Sequence, residues 1–150
     1  MTLKSLTLTN FRQFESLTLA FEKPWSAIIA PNASGKSTIL EALYMLSNGE
    51  SPWEQNHNHI VKLHPEATSE DPAHVKLANC TSRIEAVLTT DDDEHSIALS
   101  FSTNNGTTTK QYVVDGKSTT RPRFLSHLHT VLFSPDLIDL LMFEPAQRRT

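Results

Sequence analysis

Cysteine is almost missing from this chain. Cys80 is the only one among 150 residues, so no internal disulfide can form and a disulfide-stapled fold is excluded. A lone thiol of this kind is expected to be a small buried apolar residue. Long apolar runs are lacking too: the longest, Trp25 to Ala30, has a Ser inside it and falls far short of the roughly 18 residues a membrane span needs. The N-terminal stretch alternates Leu with polar residues and includes Arg12, so it has no continuous apolar core of a secretion signal, and the expected location is cytoplasmic, with no membrane partner. There is no basic excess either. Net charge is -4, and residues 51–110 hold four basic side chains against nine acidic ones, so any DNA contact has to be local. What remains, 38% hydrophobic and 20% charged residues, is the composition of one ordinary folded domain.

The apolar spacing gives the order of elements. Leu3, Leu6 and Leu8, then Leu17, Leu19 and Phe21, predict two short antiparallel strands joined through Asn10-Phe11-Arg12-Gln13-Phe14. Trp25-Ser26-Ala27-Ile28-Ile29-Ala30, bounded by Pro24 and Pro31, reads as a strand buried on both faces and central in a sheet. From Lys36 to Ser47, Ile39, Ala42, Leu43 and Leu46 recur at helical spacing, with Asn48-Gly49 as the stop. Residues 50–79 carry little periodicity and are expected to be an insertion. A β-meander is predicted over 83–115, from Ile84 to Leu88, Ser96 to Phe101 and Lys110 to Val114, closed by Asp115-Gly116. Its acidic tip, Asp91-Asp92-Asp93-Glu94, reads as a solvated turn. A helical turn at Phe124 to Leu128, a buried strand at Thr130 to Phe133 and a helix starting at Leu137 complete the pattern, with 134–150 opening a second lobe.

One segment carries chemistry. Ala30-Pro31-Asn32-Ala33-Ser34-Gly35-Lys36-Ser37-Thr38 fits the phosphate-binding loop in its broader form, with Ala at the usual first Gly, and it falls between a predicted strand and a predicted helix. A loop of this length turns backbone N–H groups around a β-phosphate, and the helix N-terminus adds about half a positive charge. Gly35 allows close approach. Lys36 is expected to bridge the β- and γ-phosphates, Ser37 to take one position on Mg²⁺, and Thr38 to seat the α-phosphate, so the cofactors are ATP and Mg²⁺. If position 30 requires positive φ, its Cβ costs about 1 kcal/mol.

These residues resemble a family. The Asn32-Ala33-Ser34-Gly35-Lys36-Ser37-Thr38 core, followed by Leu40-Glu41-Ala42-Leu43, is similar to the N-terminal lobe of the SMC/RecF class of ABC-type ATPases. Phe133-Ser134-Pro135-Asp136, then Pro145 and Arg148-Arg149, resembles the RecF family within it. The resemblance implies an α/β phosphate-loop NTPase fold, an ABC-type ATPase head lobe with an antiparallel β-meander, in the first part of a longer protein. It implies an ATP-dependent homodimer of the full-length protein, DNA binding at single-strand gaps or duplex junctions, recombinase-loading partners, and roles in DNA replication, repair and SOS induction. It also implies a Gly-rich signature and an acidic catalytic strand. With Gly only at 35, 49, 106 and 116, no signature can be written here, and no complete catalytic set is expected in these 150 residues.

Further site residues follow from the same resemblance. Asn10 and Arg12 would reach the nucleotide from the strand connection, and Phe133 to Asp136 stands where related ATPases carry a glutamine that touches Mg²⁺ through water, with no Gln here and Asp136 as a weak substitute. Arg121, Arg123, Arg148 and Arg149 are the cations available for DNA phosphates. Ser51-Pro52-Trp53 stands where RecF proteins carry Ser-Phe-Arg. His57, His59 and His64 lack partners at zinc spacing, and Trp25 and Trp53 are expected to pack rather than stack. Two alternatives stay open: another SMC-like ATPase of the overcoming-lysogenization type, or a non-hydrolysing nucleotide-binding module.

Overall fold

The computed structural model describes residues 1–54, 60, 80–90, 93–104 and 107–133. Six strands form one antiparallel sheet in the order β2-β1-β3-β4-β5-β6. They are β1 (Thr2–Phe11), β2 (Phe14–Ala20), β3 (Cys80–Thr89), β4 (Glu94–Asn104), β5 (Thr107–Val114) and β6 (Lys117–Thr119). Two helices are present among the described residues, α1 (Lys36–Asn48) and α2 (Arg121–Leu125).

Alternation explains the layering. Leu6 and Leu8 on β1, Ile84, Ala86 and Leu88 on β3, and Ile97, Leu99 and Phe101 on β4 are buried and share one core with Ile39, Ala42, Met45 and Leu46 of α1. Period-2 apolar positions on strands and period-3.6 positions on a helix therefore meet as two layers. The expected meander is present with longer strands than the apolar runs alone mark, because polar Thr and Ser at their ends still complete ladder hydrogen bonds, as in Cys80 opposite Thr103. Asp115 and Gly116, with φ of 48° and 73°, make the left-handed two-residue turn that returns the chain into β6, a strand too short for periodicity to announce. The Asp115 carboxylate lies below its ordinary range because His95 and then the Ser96 backbone N–H donate to it.

Two expected strands do not form. Residues 25–30 have no strand structure, and Trp25 and Ile29 are 74% and 93% exposed. Residues 130–133 likewise run without strand pairing, with Val131 and Phe133 exposed. An apolar run becomes a buried strand only where neighbours offer hydrogen bonds on both sides, and among the described residues all six strands pair with one another instead. Trp53, expected to pack, is exposed as well. The side chain of Cys80, most of the 50–79 insertion, Asp91 and Asp92 of the acidic tip, His57, His59 and His64, and the helix expected from Leu137 all lie outside the described residues. No helix among the described residues is long and apolar enough to cross a membrane.

Ser82 on β3 is buried, and its hydroxyl has no hydrogen-bond partner among the described residues. Such a group costs free energy that a methyl does not. Ser82→Ala is expected to leave stability unchanged or raise it by up to about 1 kcal/mol in urea unfolding, and a clear loss would mean that the hydroxyl is satisfied.

Candidate nucleotide-binding site

Helix α1 starts without a cap. Its N-cap is Gly35 at φ 96°, no side chain closes the N-terminus, and no acidic residue lies in the first turn. The helix dipole and its first free N–H groups therefore face outward at the end of the loop. Ala33 at φ 63° and Gly35 are the left-handed residues of the loop, the backbone pattern that turns successive N–H groups toward one side. Around this end lies an open cavity of about 380 Å³ lined by Gln13, Asn32, Ala33, Gly35, Lys36, Ser37 and Thr38. Of the loop residues expected to hold phosphate, Asn32, Ala33, Gly35, Lys36, Ser37 and Thr38 are thus brought together on the cavity wall, while Ala30, Pro31 and Ser34 do not line it. The Lys36 ammonium folds back and donates to the Ala30 and Pro31 carbonyls at 2.7 and 2.6 Å.

Ala30 is not in the left-handed region, so its Cβ carries no backbone penalty; the strained alanine is Ala33. Gly35 is required twice over. Besides its φ, a Cβ there would lie 2.4 Å from Gln13 Nε2 and 2.5 Å from Phe14 Cζ. The β1–β2 turn is pressed directly against the phosphate loop.

That turn is held by an ion pair. The Arg12 guanidinium donates from Nε and from the terminal nitrogen to Glu41 at 3.0 and 2.6 Å, and the Glu41 side chain is only 4% exposed. Ser51 Oγ donates to the same carboxylate at 2.5 Å, and the Arg12 backbone N–H donates to the Ile60 carbonyl. Arg12 itself sits at φ 53°, a conformation an L residue adopts at a cost, so the paired side chain and backbone together fix it. Asn10 donates to the Thr81 carbonyl at 3.3 Å. Neither Asn10 nor Arg12 lines the cavity, whereas Gln13, between the Arg12 turn and Phe14, does. Glu41 and Gln13 are the residues that sequence reasoning left without a role. The available signals were an acid on the sheet-facing side of α1 and a polar residue beside a turn arginine.

The remaining candidates lie elsewhere. Arg121 donates to the Asn48 carbonyl at the C-terminal end of α1, and a 13-residue helix puts that end about 20 Å from the phosphate loop. Arg123 is exposed beside Lys117, Ser118 and Thr119. Asp136, Arg148 and Arg149 lie outside the described residues. Ser37 fits Mg²⁺, as an exposed hydroxyl oxygen on the cavity wall beside Lys36, a donor type that this hard cation takes.

Residues 5–131 match the family described as AAA domain. Among curated proteins, the chain is 32% identical over 149 residues to the DNA replication and repair protein RecF of Thermomicrobium roseum, covering 99% of this chain and 36% of that protein. It is 31% identical to the RecF of Macrococcus caseolyticus, again covering 99% and 36%. The chain therefore spans about a third of the length of the curated relatives it matches. Among solved structures, the recombination mediator protein RecF-ATP in the RecFOR pathway superposes with a TM-score of 0.72 at 28% identity, over 98% of this chain and 35% of that one. The SMC head domain from Thermotoga maritima, at 23% identity and a TM-score of 0.58 over 82% of this chain and 42% of that one, shares the fold. The expected phosphate-loop ATPase lobe with its antiparallel sheet is the fold observed.

Ala33→Gly is expected to raise stability by up to about 1 kcal/mol by relieving the left-handed alanine, while Ala30→Gly gives no gain; paired urea titrations compare them. Arg12→Ala leaves the buried Glu41 carboxylate without its guanidinium, with Ser51 still donating to it, and should cost about 3 kcal/mol by the same measurement, with Glu41→Gln milder because it keeps an acceptor for Arg12.

Proposed function

We propose that this chain, which belongs to the AAA domain family, is the ATP-binding part of a RecF-like DNA replication and repair protein. The observation that carries this reading is the uncapped start of α1 behind a loop whose Gly35, Lys36, Ser37 and Thr38 line one open cavity. Backbone N–H groups and a helix N-terminus there suit the phosphates of a nucleotide, and Lys36 supplies the point charge. A solved relative is described with ATP bound, which supports ATP as the nucleotide. Mg²⁺, held in part by Ser37, would neutralise charge on the β- and γ-phosphates. Lys36 then leaves the Ala30 and Pro31 carbonyls for phosphate, and Thr38 seats the α-phosphate.

The finer reading extends the family resemblance beyond what the relatives' names state. The chain serves as the head lobe of a longer cytoplasmic protein that dimerises around ATP, binds DNA at single-strand gaps or duplex junctions, and supports recombinase loading and SOS induction. Residues 134–150, proposed to open its second lobe, lie outside the described residues. Arg121, Arg123, Arg148 and Arg149 are the cations proposed for DNA, and Asp136 is proposed on the metal side. Asn10 and Arg12 act on the nucleotide by holding the strand connection, since Arg12 is committed to Glu41.

Lys36→Ala is expected to weaken binding of a fluorescent ATP analogue by about tenfold or more, some 1.4 kcal/mol, and unchanged binding would remove the phosphate-loop assignment. With ATP present, binding to duplex DNA carrying a single-stranded gap should be tighter than to blunt duplex and should weaken steeply with salt. Equal affinity for the two would sink the gap-binding role while leaving the nucleotide site intact.

A further inference from the structure

Gln13 enters the cavity from outside the phosphate loop. It belongs to the β1–β2 connection, 25 residues before Thr38, and its Oε1 accepts a hydrogen bond from the Thr38 hydroxyl at 3.1 Å. Its Nε2 lies over Gly35, 2.4 Å from where a Cβ would stand. The platform beneath it is fixed by the Arg12–Glu41 pair and by the bond from the Arg12 N–H to the Ile60 carbonyl. An exposed side chain is thus presented to the site with little freedom in its backbone.

A threonine hydroxyl has one proton to give. While that proton goes to Gln13 Oε1, it is not available to a phosphate oxygen. We infer that Gln13 is a positioning residue of the nucleotide site whose side-chain amide turns over when a nucleoside triphosphate enters. In the free state Oε1 accepts from Thr38. In the bound state Nε2 donates to Thr38 Oγ1, and the hydroxyl, keeping its proton, redirects its hydrogen bond to an α-phosphate oxygen. A primary amide allows this because a half-turn about its last bond exchanges an acceptor for a donor at one position. The inference rests on the ATP reading above and adds to it a residue that holds the nucleotide through Thr38 and links the site to the β1–β2 turn.

The test is a double-mutant cycle on the full chain with an N-methylanthraniloyl ATP analogue and Mg²⁺. Gln13→Ala and Thr38→Val should each weaken binding several-fold, and the double variant should bind no worse than Thr38→Val alone. Gln13→Glu keeps the shape but has no donor and brings a negative charge toward the phosphates, so it should be the weakest binder, by at least tenfold. Melting temperatures without nucleotide should stay close to that of the parent, because Gln13 is exposed at a turn. Independent, multiplying effects of the Gln13→Ala and Thr38→Val substitutions would overturn the inference, as would a Gln13→Glu variant that binds like the parent. Lys36→Ala separates the two levels. If it abolishes binding while Gln13 and Thr38 act independently, only the role of Gln13 falls; if the parent itself does not bind the analogue, the ATP reading and this inference fall together.

Discussion

A helix whose N-terminus is left open cannot use that end to fix itself in place. Everything around α1 answers to this constraint. The first turn has no cap and no acid, so the helix gives up the roughly 1 kcal/mol that a capping side chain supplies. Its anchors are displaced to the side and to the far end. Glu41, one turn in, takes Arg12 and Ser51. At the C-terminal end Gly49 closes the last turn onto the Met45 carbonyl, and the cations Lys110 and Arg121 donate to the Gly49 and Asn48 carbonyls. Positive charge at the C-terminal pole is the favourable arrangement for the helix dipole. The helix is therefore positioned by the β1–β2 turn, β5 and α2 while its N-terminal end stays uncapped.

How far the chain could be read from its letters follows from which forces are local. Helix α1 and its stop were legible, because apolar spacing and a terminal Asn-Gly act within a few residues of themselves. So were β1, β2 and the meander, because alternation on a half-covered sheet needs no knowledge of partners. The phosphate loop was legible from spacing alone. The Arg12–Glu41 strut was not, since its residues are 29 apart and nothing in either one's neighbours marks a buried pair. Position 30 would carry a strained Cβ only if it required positive φ; it does not, and it is Ala33 that adopts the left-handed conformation.

The two failed strands belong to a different category. Trp25 to Ala30 and Thr130 to Phe133 have the composition of buried strands, yet Ile29 and Val131 are each more than nine-tenths exposed. Composition of that kind specifies an environment rather than a conformation. A parallel or central strand is stabilised by ladders on both sides and by apolar cover on both faces, none of which its own sequence supplies. In β3 and β4 the same chemistry succeeds because each has neighbours on both sides in the sheet. The contrast locates the difference in pairing, not in propensity.

The site as it stands satisfies itself. Lys36 is bonded to the loop's own carbonyls, and Thr38 to Gln13. Polar groups in this state do not add the full strength of a new hydrogen bond when phosphate arrives, because each one made replaces one lost. Net affinity then comes from what the exchange does not cancel: the uncapped helix end, the N–H groups turned inward by Ala33 and Gly35, and the charge on Lys36, which meets a full anion in place of two neutral carbonyls. A neutral ligand of the same shape would lose the same internal bonds and regain none of this difference. Under the nucleotide reading proposed above, the loop would select for anionic charge before it selects for a base or a sugar, with the rigid β1–β2 turn deciding how accurately that charge is placed.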